Sequence, residues 1–595
     1  MRLQFLLAKR TADTPKDALM PSHQFLVRGG YVRQIGQGLY TLLPLAQRIR
    51  AKIERIIREE MDGIGGQEIT MPVVAPAELW QASGRYGQVG GELVRFEDRT
   101  GHPHVLNMTH EEVVVDAVGA SVESYRQLPL MVYQIQTKFR DEPRSRGGLV
   151  RVREFTMKDA YSFHRTDEDL ERYYQEVHGA YVRIFERVGL KAVDIESDVG
   201  MMGGQMAHEF MALSPHGEDT LLLCDSCDYR ANREVATTTR SSPAEEEMAP
   251  LEKVSTPGTK TIEAVSTLLK TTADRTAKAV LFMGHGEVED PKGKKKVVER
   301  PIVAFVRGDL EVNQAKLRNA ARALDLRPMQ VEETEQIGTV AGFVGPIGLA
   351  HEHLIVLVDE TVAQTPNLVV GANEADAHLT GFNLSRDCPD ATVADLAEVK
   401  EGDACPSCGA PLRMARGIEV GNIFQLGLKY TKSMGFEYLE ENGKSQHPTM
   451  GCYGIGVGRT LACIIEAHHD EHGPLWPMAV APYEAEVCCI QAKKPGVLDA
   501  GEGIYKQLCD GGVEALIDDR KVGAGFMFAD ADLISAPVRI IVSPRNLKEG
   551  KVEMKYRLPE GTAERKELDG LLPAEASLEE APEIAQRAVE ALRRG

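Results

Sequence analysis

The sequence predicts an α+β multidomain chain: an antiparallel-sheet core, an inserted α+β domain and a C-terminal α/β domain. Three observations carry this. Apolar runs at 130–135 and 155–163 flank a polar, arginine-bearing loop, the pattern of two strands and a hairpin. From about 241 to 401 the character changes, opening on a Ser/Pro/Glu/Thr-rich stretch that runs to Pro257. Beyond Trp476-Pro477, strand-like and helix-like segments alternate at lengths that suit an α/β fold with a mixed sheet. The expected partition is a core at 1–240 and 402–475, an insertion at 241–401, and a last domain with its terminal helix at 476–595.

The 595 residues suffice for several domains, and 43% hydrophobic content supports real cores. No apolar run reaches membrane-spanning length, and the apolar start is too short for a secretory signal, so a cytoplasmic protein is expected. A net charge of −20 argues against a generally basic nucleic-acid coat. Residues 1–60 nevertheless hold eleven Lys/Arg against five Asp/Glu, so any nucleic-acid binding would be local and salt-sensitive.

The hairpin loop reads Thr137-Lys138-Phe139-Arg140-Asp141-Glu142-Pro143 and continues through Arg144, Arg146, Gly147, Gly148, Arg151 and Arg153 to Glu154-Phe155. Arginine's planar fork grips phosphate and carboxylate oxygens bidentately, and a lone Arg-rich loop would otherwise be a solvated hairpin. Far downstream, Gly451-Cys452-Tyr453-Gly454-Ile455-Gly456-Val457-Gly458-Arg459 precedes an apolar helical run. Its glycines allow a nucleotide close to the backbone, or simply form a tight strand-to-helix junction. Near the start, Leu45, Ile49, Ile53, Ile56 and Ile57 recur at helical spacing, and a proline-bearing strand-like run, Ile69-Thr70-Met71-Pro72-Val73, follows. Together the three resemble motifs 2, 3 and 1 of the class II aminoacyl-tRNA synthetases, whose motif 1 forms a dimer interface.

Thr109-His110-Glu111-Glu112, Tyr133 to Thr137, Met157 to Phe163, Gly203-Gly204 and Arg416 to Gly421 narrow the resemblance to bacterial prolyl-tRNA synthetases. This resemblance implies a homodimer that uses ATP with Mg²⁺, L-proline and tRNA(Pro), with no membrane partner. Proline's carboxylate would attack the α-phosphate of ATP, and the 3′-hydroxyl of the tRNA would then take the prolyl group. Arg140, Glu142 and Arg459 are the expected catalytic residues. Thr109, Glu111, Arg140 and Cys452 would face proline, because a buried cation needs an acidic partner. Arg140, Glu142, Arg151, Phe155, Gln425, Gly456 and Arg459 would hold ATP, with Phe155 stacked on adenine and Gln425 near ribose or adenine. Asn422, Leu428 and Ala207 depart from the family pattern, where His, Thr and Ser are expected.

Within the insertion, strand-like runs at 280–282, 302–306, 354–358 and 368–370 alternate with helical patterns, and the charged stretch 287–300 reads as a solvated hairpin loop. The module resembles the family's editing domain, which implies hydrolysis of alanyl-tRNA(Pro) with Lys278, Gly342 in Gly342-Phe343-Val344-Gly345-Pro346, Asp359 and His378 as its functional positions. A lysine can hold a terminal phosphate, while backbone N–H groups polarise an ester. Ten cysteines form no secreted-scaffold pattern. Cys224 and Cys227, with Cys405 and Cys408, make two CxxC knuckles that could complete a tetrahedral Zn²⁺ site if a domain lies between them. The resemblance does not require this metal.

In the last region, Asp518 to Lys521, Gly525 to Asp530 and Arg545-Asn546-Leu547 resemble the family's anticodon-binding domain. Two other readings remain: a class II synthetase for another amino acid, distinguished at Thr109, Glu111 and Cys452, and a non-enzymatic paralogue that binds tRNA or an amino acid. The second should lack the motif arginines, and Arg140 and Arg459 are present.

Overall fold

A computed structural model describes residues 1–198, 202, 206–240, 246–289, 295–559, 563–568 and 570–594. The chain forms two compact units: Met1–Asp194 with Val199–Glu218 and Arg416–Gly595, and Ile195–Asp198 with Asp219–Ala415.

The first unit is built on helix α1 (Pro44–Gly63), strands β1 (Gln67–Glu68), β2 (Leu130–Phe139) and β3 (Glu154–His164), helix α2 (Asp167–Arg187), strands β4 (Met206–Leu213), β5 (Leu412–Gly427) and β6 (Thr449–Gly456), and helix α3 (Val457–Ala467). Its sheet runs β4-β5-β6-β3-β2-β1, antiparallel except at the β2–β1 edge. Pro44 starts α1 at a position where no N–H is needed, and Thr166 caps α2 by accepting the Asp169 N–H. Ile49, Ile53 and Ile57 of α1, Tyr174, Tyr181 and Phe185 of α2, and Leu461 and Ile465 of α3 are buried in one cluster with Ile423, Tyr453 and Ile455 of the sheet. One face of the sheet is thereby closed by helices, and the other is left for chemistry.

The expected strand at 69–73 is not one. Pro72 brings no N–H, and side chains replace the ladder: Met71 N–H donates to Gln134 Oε1 at 2.9 Å, and Gln136 Nε2 donates to the Met71 carbonyl at 3.1 Å.

The C-terminal part carries β7 (Ala485–Cys489), α4 (Val497–Asp510), β8 (Ala515–Asp518), α5 (Ala524–Ile534), β9 (Val538–Val542), β10 (Lys551–Tyr556), β11 (Glu575–Ser577) and α6 (Ala581–Arg594). Its order, β8-β7-β9-β10-β11, is a mixed sheet. It does not separate from the core. The Tyr31 hydroxyl accepts from Trp476 Nε1 and faces the carbonyls of Leu533 and Ile534, each at 2.9 Å, while Arg10 pairs with Asp530 at 3.0 Å.

The second unit is wider than the 241–401 expected. Strand Asp219–Cys224 pairs with Arg230–Asn232, and Asn313 Nδ2 donates to the Arg233 carbonyl at 2.8 Å, so this entering segment folds with the insertion. Much of the charged stretch 287–300 is ladder rather than loop, since Ala277–Glu289 pairs with Lys295–Arg307; 290–294, like 241–245 of the expected linker, lie outside the described residues. A five-stranded sheet and a three-stranded one form the rest.

Glu486 on β7 is in register with Arg539 on β9, and neither Glu486 oxygen has a hydrogen-bond partner among the described residues. Burial, opposed by Arg539 and aided by Asp518, pushes its carboxyl up to about 7. A carboxyl raised above its unfolded value of about 4.3 contributes stability below that value, and the contribution is lost as pH rises through about 7. Glu486→Gln should therefore gain stability over the unmodified chain between about pH 5 and about pH 8. Urea unfolding midpoints check this; a gap that does not change with pH would refute it.

Candidate active site

Strand alternation sorts the site. Lys138 is opposite Phe155, Gln136 opposite Met157 and Gln134 opposite Asp159; Met157 faces Gly456, Asp159 faces Gly454 and Tyr161 faces Cys452. Asn422 is opposite Gly454, and Phe424 opposite Cys452. All of these share the face away from α1, α2 and α3.

A cleft on this face is lined by Arg140, Glu142, Arg151, Phe155, Glu419, Asn422, Gly454, Gly456 and Arg459, among others. The Arg140 guanidinium lies 5.2 Å from the Phe155 ring centre, and its Nε donates to the Met108 carbonyl at 3.3 Å. Among the described residues its two Nη groups have no hydrogen-bond partner. Burial, then the charge of Arg459, lowers the Arg140 pKa, so an anion between the two arginines would relieve a repulsion. Arg459 is aimed by its Nε on the Val150 carbonyl at 2.9 Å and its Nη1 on the Glu419 carbonyl at 2.8 Å. Arg151 fastens Glu142 by two bonds of 2.9 and 2.8 Å and also reaches Glu218, so it orders the loop as well as facing the cleft. Gly147 and Gly148, at φ +69° and +62°, make the turn that returns the chain to Arg151.

Beside the cleft, Thr109, Glu111 and Cys452 converge. The Thr109 hydroxyl donates to Glu111 at 2.6 Å, and the Cys452 thiol donates to Glu111 Oε1 at 3.2 Å. Burial, then Glu111, pushes the Cys452 thiol well up, which keeps it a donor. Lys138 pairs with Asp159 at 2.8 Å, and Asp159 also accepts from Gln134 and Tyr161.

Gln425 is not in this constellation. It stands three residues from Asn422, on the opposite face of β5, and its amide donates to Glu171 of α2. The expectation that it touches ribose or adenine is corrected by strand parity. Asn422 hydrogen-bonds Glu419 Oε1 at 2.6 Å, Ala207 is buried in an apolar cluster, and Leu428 is exposed. Gly203-Gly204 lies outside the described residues. Sequence reasoning missed Arg85, Glu112, Lys138, Asp159 and Glu419. The one available signal was two adjacent acids before an apolar helix at Glu111-Glu112-Val113-Val114-Val115.

In the second unit, the four expected editing positions form no single contact set. Lys278 ion-pairs with Glu311 at 2.6 Å. Asp359 accepts from Thr361 N–H and from the Leu396 and Ala397 N–H groups at 2.8–2.9 Å, which makes it a buried cap. By alternation both project from the sheet face that packs Val280, Phe282 and Leu357. Val344 and Leu379, neighbours of the Gly342 loop and His378, pack with Phe305 and Val358 on the other face. There Phe343 stands edge-on to His378, Thr256 Oγ1 is 2.6 Å from His378 Nδ1, and Asn373 Oδ1 accepts from Gly345 N–H at 2.8 Å. A Cβ on Gly345 would fall 1.8 Å from the Gly371 carbonyl oxygen, so only glycine closes this loop.

The sulfurs of Cys224, Cys227, Cys405 and Cys408 all lie within 4.8 Å of one another. Cys224–Cys408 is 3.5 Å and Cys227–Cys405 is 3.6 Å, close to the edge of about 3.8 Å that a tetrahedron with ~2.3 Å Zn–S bonds requires.

Comparison with known proteins agrees with this architecture. The tRNA synthetase class II core domain (G, H, P, S and T) matches residues 94–468, and an anticodon binding domain matches 484–586. Both parts of a class II synthetase are thus present. The proline–tRNA ligase of Salinispora tropica is 46% identical over 95% of this chain and 94% of its own length. Those of Moorella thermoacetica and Thermotoga neapolitana are each 44% identical over 94% of this chain, and 95% and 94% of their own. The fold is also that of prolyl-tRNA synthetase from Cryptosporidium parvum complexed with L-proline and AMP, with TM-score 0.53, 12% identity, and 96% of this chain and 77% of that one covered. The chain belongs to the proline–tRNA ligase family.

Arg140→Lys keeps the charge but loses the fork, and should cut ATP–pyrophosphate exchange by about a hundredfold or more. Gln425→Leu should leave the KM for ATP within about twofold, because position 425 faces α2. Steady-state exchange kinetics on both variants check the assignment, and the reverse order of effects would contradict it.

Proposed function

We propose that this chain activates L-proline with ATP and transfers it to the 3′ end of tRNA(Pro). The observation that carries the reading is the juxtaposition of two arginines, Arg140 and Arg459, of which Arg459 also pairs with Glu419 at 3.3 Å, with a buried acidic pocket at Thr109, Glu111 and Cys452. A zwitterion fits between them: its ammonium at Glu111, its carboxylate toward Arg140. The carboxylate oxygen attacks the α-phosphate, the bond to the β-phosphate bridging oxygen breaks, and pyrophosphate leaves. Arg140 balances charge at the α-phosphate, and Arg459 holds the terminal phosphate. Phe155, half-buried beneath Arg140, offers a face for adenine. No side-chain nucleophile is needed, so catalysis is positioning and charge stabilisation. Glu142 and Glu419 line the cleft as hard oxygen donors and would hold Mg²⁺, which neutralises phosphate charge when bound.

The C-terminal domain would read the anticodon. A homodimer accords with the exposed apolar side chains Phe5, Leu7, Leu19 and Ile35 of the first unit. Among the described residues no helix is long and apolar enough to cross a membrane, and a cytoplasmic location accords with cysteines that form no secreted-scaffold pattern. We assign hydrolytic editing of alanyl-tRNA(Pro) to the second unit, supported by the glycine cradle at Gly342–Pro346 beside His378, where a small acyl group could be admitted and proline refused. The cysteine quartet is assigned a structural Zn²⁺.

Exchange assayed across proline, alanine, cysteine, threonine and serine should be strongest with proline and weaker with alanine. Preference for another amino acid would overturn the specificity. The purified protein should carry zinc at about one per chain by metal analysis, and Cys405→Ser should release it and lower the unfolding temperature. Metal-free protein of unchanged stability would remove the zinc assignment.

A further inference from the structure

Helix Glu111–Gly119 opens on two adjacent carboxylates, and both are fully buried. One guanidinium serves the two. Arg85 Nη1 lies 3.1 Å from Glu111 Oε2 and 3.1 and 3.2 Å from the two oxygens of Glu112. Arg85 is 2% exposed and cannot turn away, held 4.6 Å from the Trp80 ring centre and 5.6 Å from that of Tyr430. The carboxylates differ in their other partners. Glu112 accepts the Ser83 hydroxyl at 2.8 Å, whereas Glu111 accepts the pocket groups Thr109 and Cys452.

The nearby cations do not cancel this imbalance directly. Lys138 is taken by Asp159, and half-buried Lys429 donates to the Met202 carbonyl at 2.9 Å. Among the described residues, the set paired through Arg85 is two carboxylates against one guanidinium. Burying such a set uncompensated is costly, so the position of the surplus charge matters.

We propose that Glu112 is a specificity-determining positioning residue: by absorbing the charge of Arg85 it leaves the charge of Glu111 for the secondary ammonium of the substrate. This rests on the reading that the ammonium sits at Glu111. Without Glu112, Arg85 would have Glu111 as its single carboxylate partner and would neutralise it. Without both Arg85 and Glu112, Glu111 would again be alone. The pocket thus predicts that a second lesion repairs the first, which a merely structural role for the cluster does not.

The test uses the full chain in proline-dependent exchange, with tetrahydrofuran-2-carboxylate, where a ring oxygen replaces the ammonium, as competing probe. The unmodified enzyme should prefer proline by about a hundredfold. Glu112→Gln should raise the KM for proline about tenfold or more and shrink that preference, with the KM for ATP unchanged. The double variant Arg85→Met/Glu112→Gln should return the KM and the preference to within about threefold of the original. A double variant no better than Glu112→Gln overturns the proposal. If Glu112→Gln does not fold, the double variant decides alone: retained preference supports the charge pairing, and lost preference refutes it. An unmodified enzyme that does not distinguish the two ligands refutes instead the placement of the ammonium at Glu111, and the pairing falls with it.

Discussion

The period-two alternation of one uninterrupted antiparallel ladder is the constraint on which the site depends. β2 and β3 pair over ten residues without a bulge, from Leu130 opposite Phe163 to Phe139 opposite Glu154. That register sends Tyr133, Lys158 and Ala160 to the helices and Gln134, Lys138, Phe155 and Asp159 to the substrate face. A slip of one residue would exchange the two sets entirely. The helical cover of α1, α2 and α3 makes such a slip prohibitive, because it would place charged side chains against Ile53, Phe185 and Leu461.

Charge is then distributed by how dry each position is. Behind the sheet, Lys158 is fully buried, and burial pushes its ammonium down to about 7 while it donates to Tyr181 at 2.7 Å and to the Tyr453 carbonyl at 3.2 Å. At the floor of the site, Lys138 and Asp159 cancel one another. At the cleft two guanidiniums, Arg140 and Arg459, stand near each other; Glu419 lies 3.3 Å from Arg459, while Arg140 has no ion pair among the described residues. The proposed triphosphate chemistry would draw on this excess positive charge, and a protein interior tolerates such charge only where an anion or water can enter. The glycines of β6 serve the same end by keeping side chains out of the cleft.

The second unit follows a different logic. Its cysteines lie near its two ends in sequence, where a metal would tie together segments some 180 residues apart and shorten the free loop that closes the module. Its glycine loop is shaped by backbone contact alone, since Gly345 and Gly371 meet with no room for a side chain. Asp359 is consumed in capping backbone N–H groups, and its role in this unit is to fasten the end of one strand to the segment at Leu396.

The multidomain α+β class, the hairpin, the glycine-rich strand-to-helix junction, the mixed C-terminal sheet and the cysteine quartet were all legible in the sequence. Each is written locally, as an apolar period, a glycine cluster or a CxxC spacing. That Arg140 and Arg459 would line one cleft, and that Glu111 would meet Cys452, was legible too, through their motifs. What only the tertiary structure decided was facing and partnership. Gln425 sits within a recognisable motif, yet strand parity turns it to α2. Pro72 sits in a strand-like run, yet Gln134 and Gln136 replace its ladder. Arg85 carries no local signal, because its importance comes from Trp80, the adjacent Glu111 and Glu112, and Tyr430 closing around it from three parts of the chain. Local pattern determines which residues can do chemistry; the register and packing of distant segments determine which of them meet.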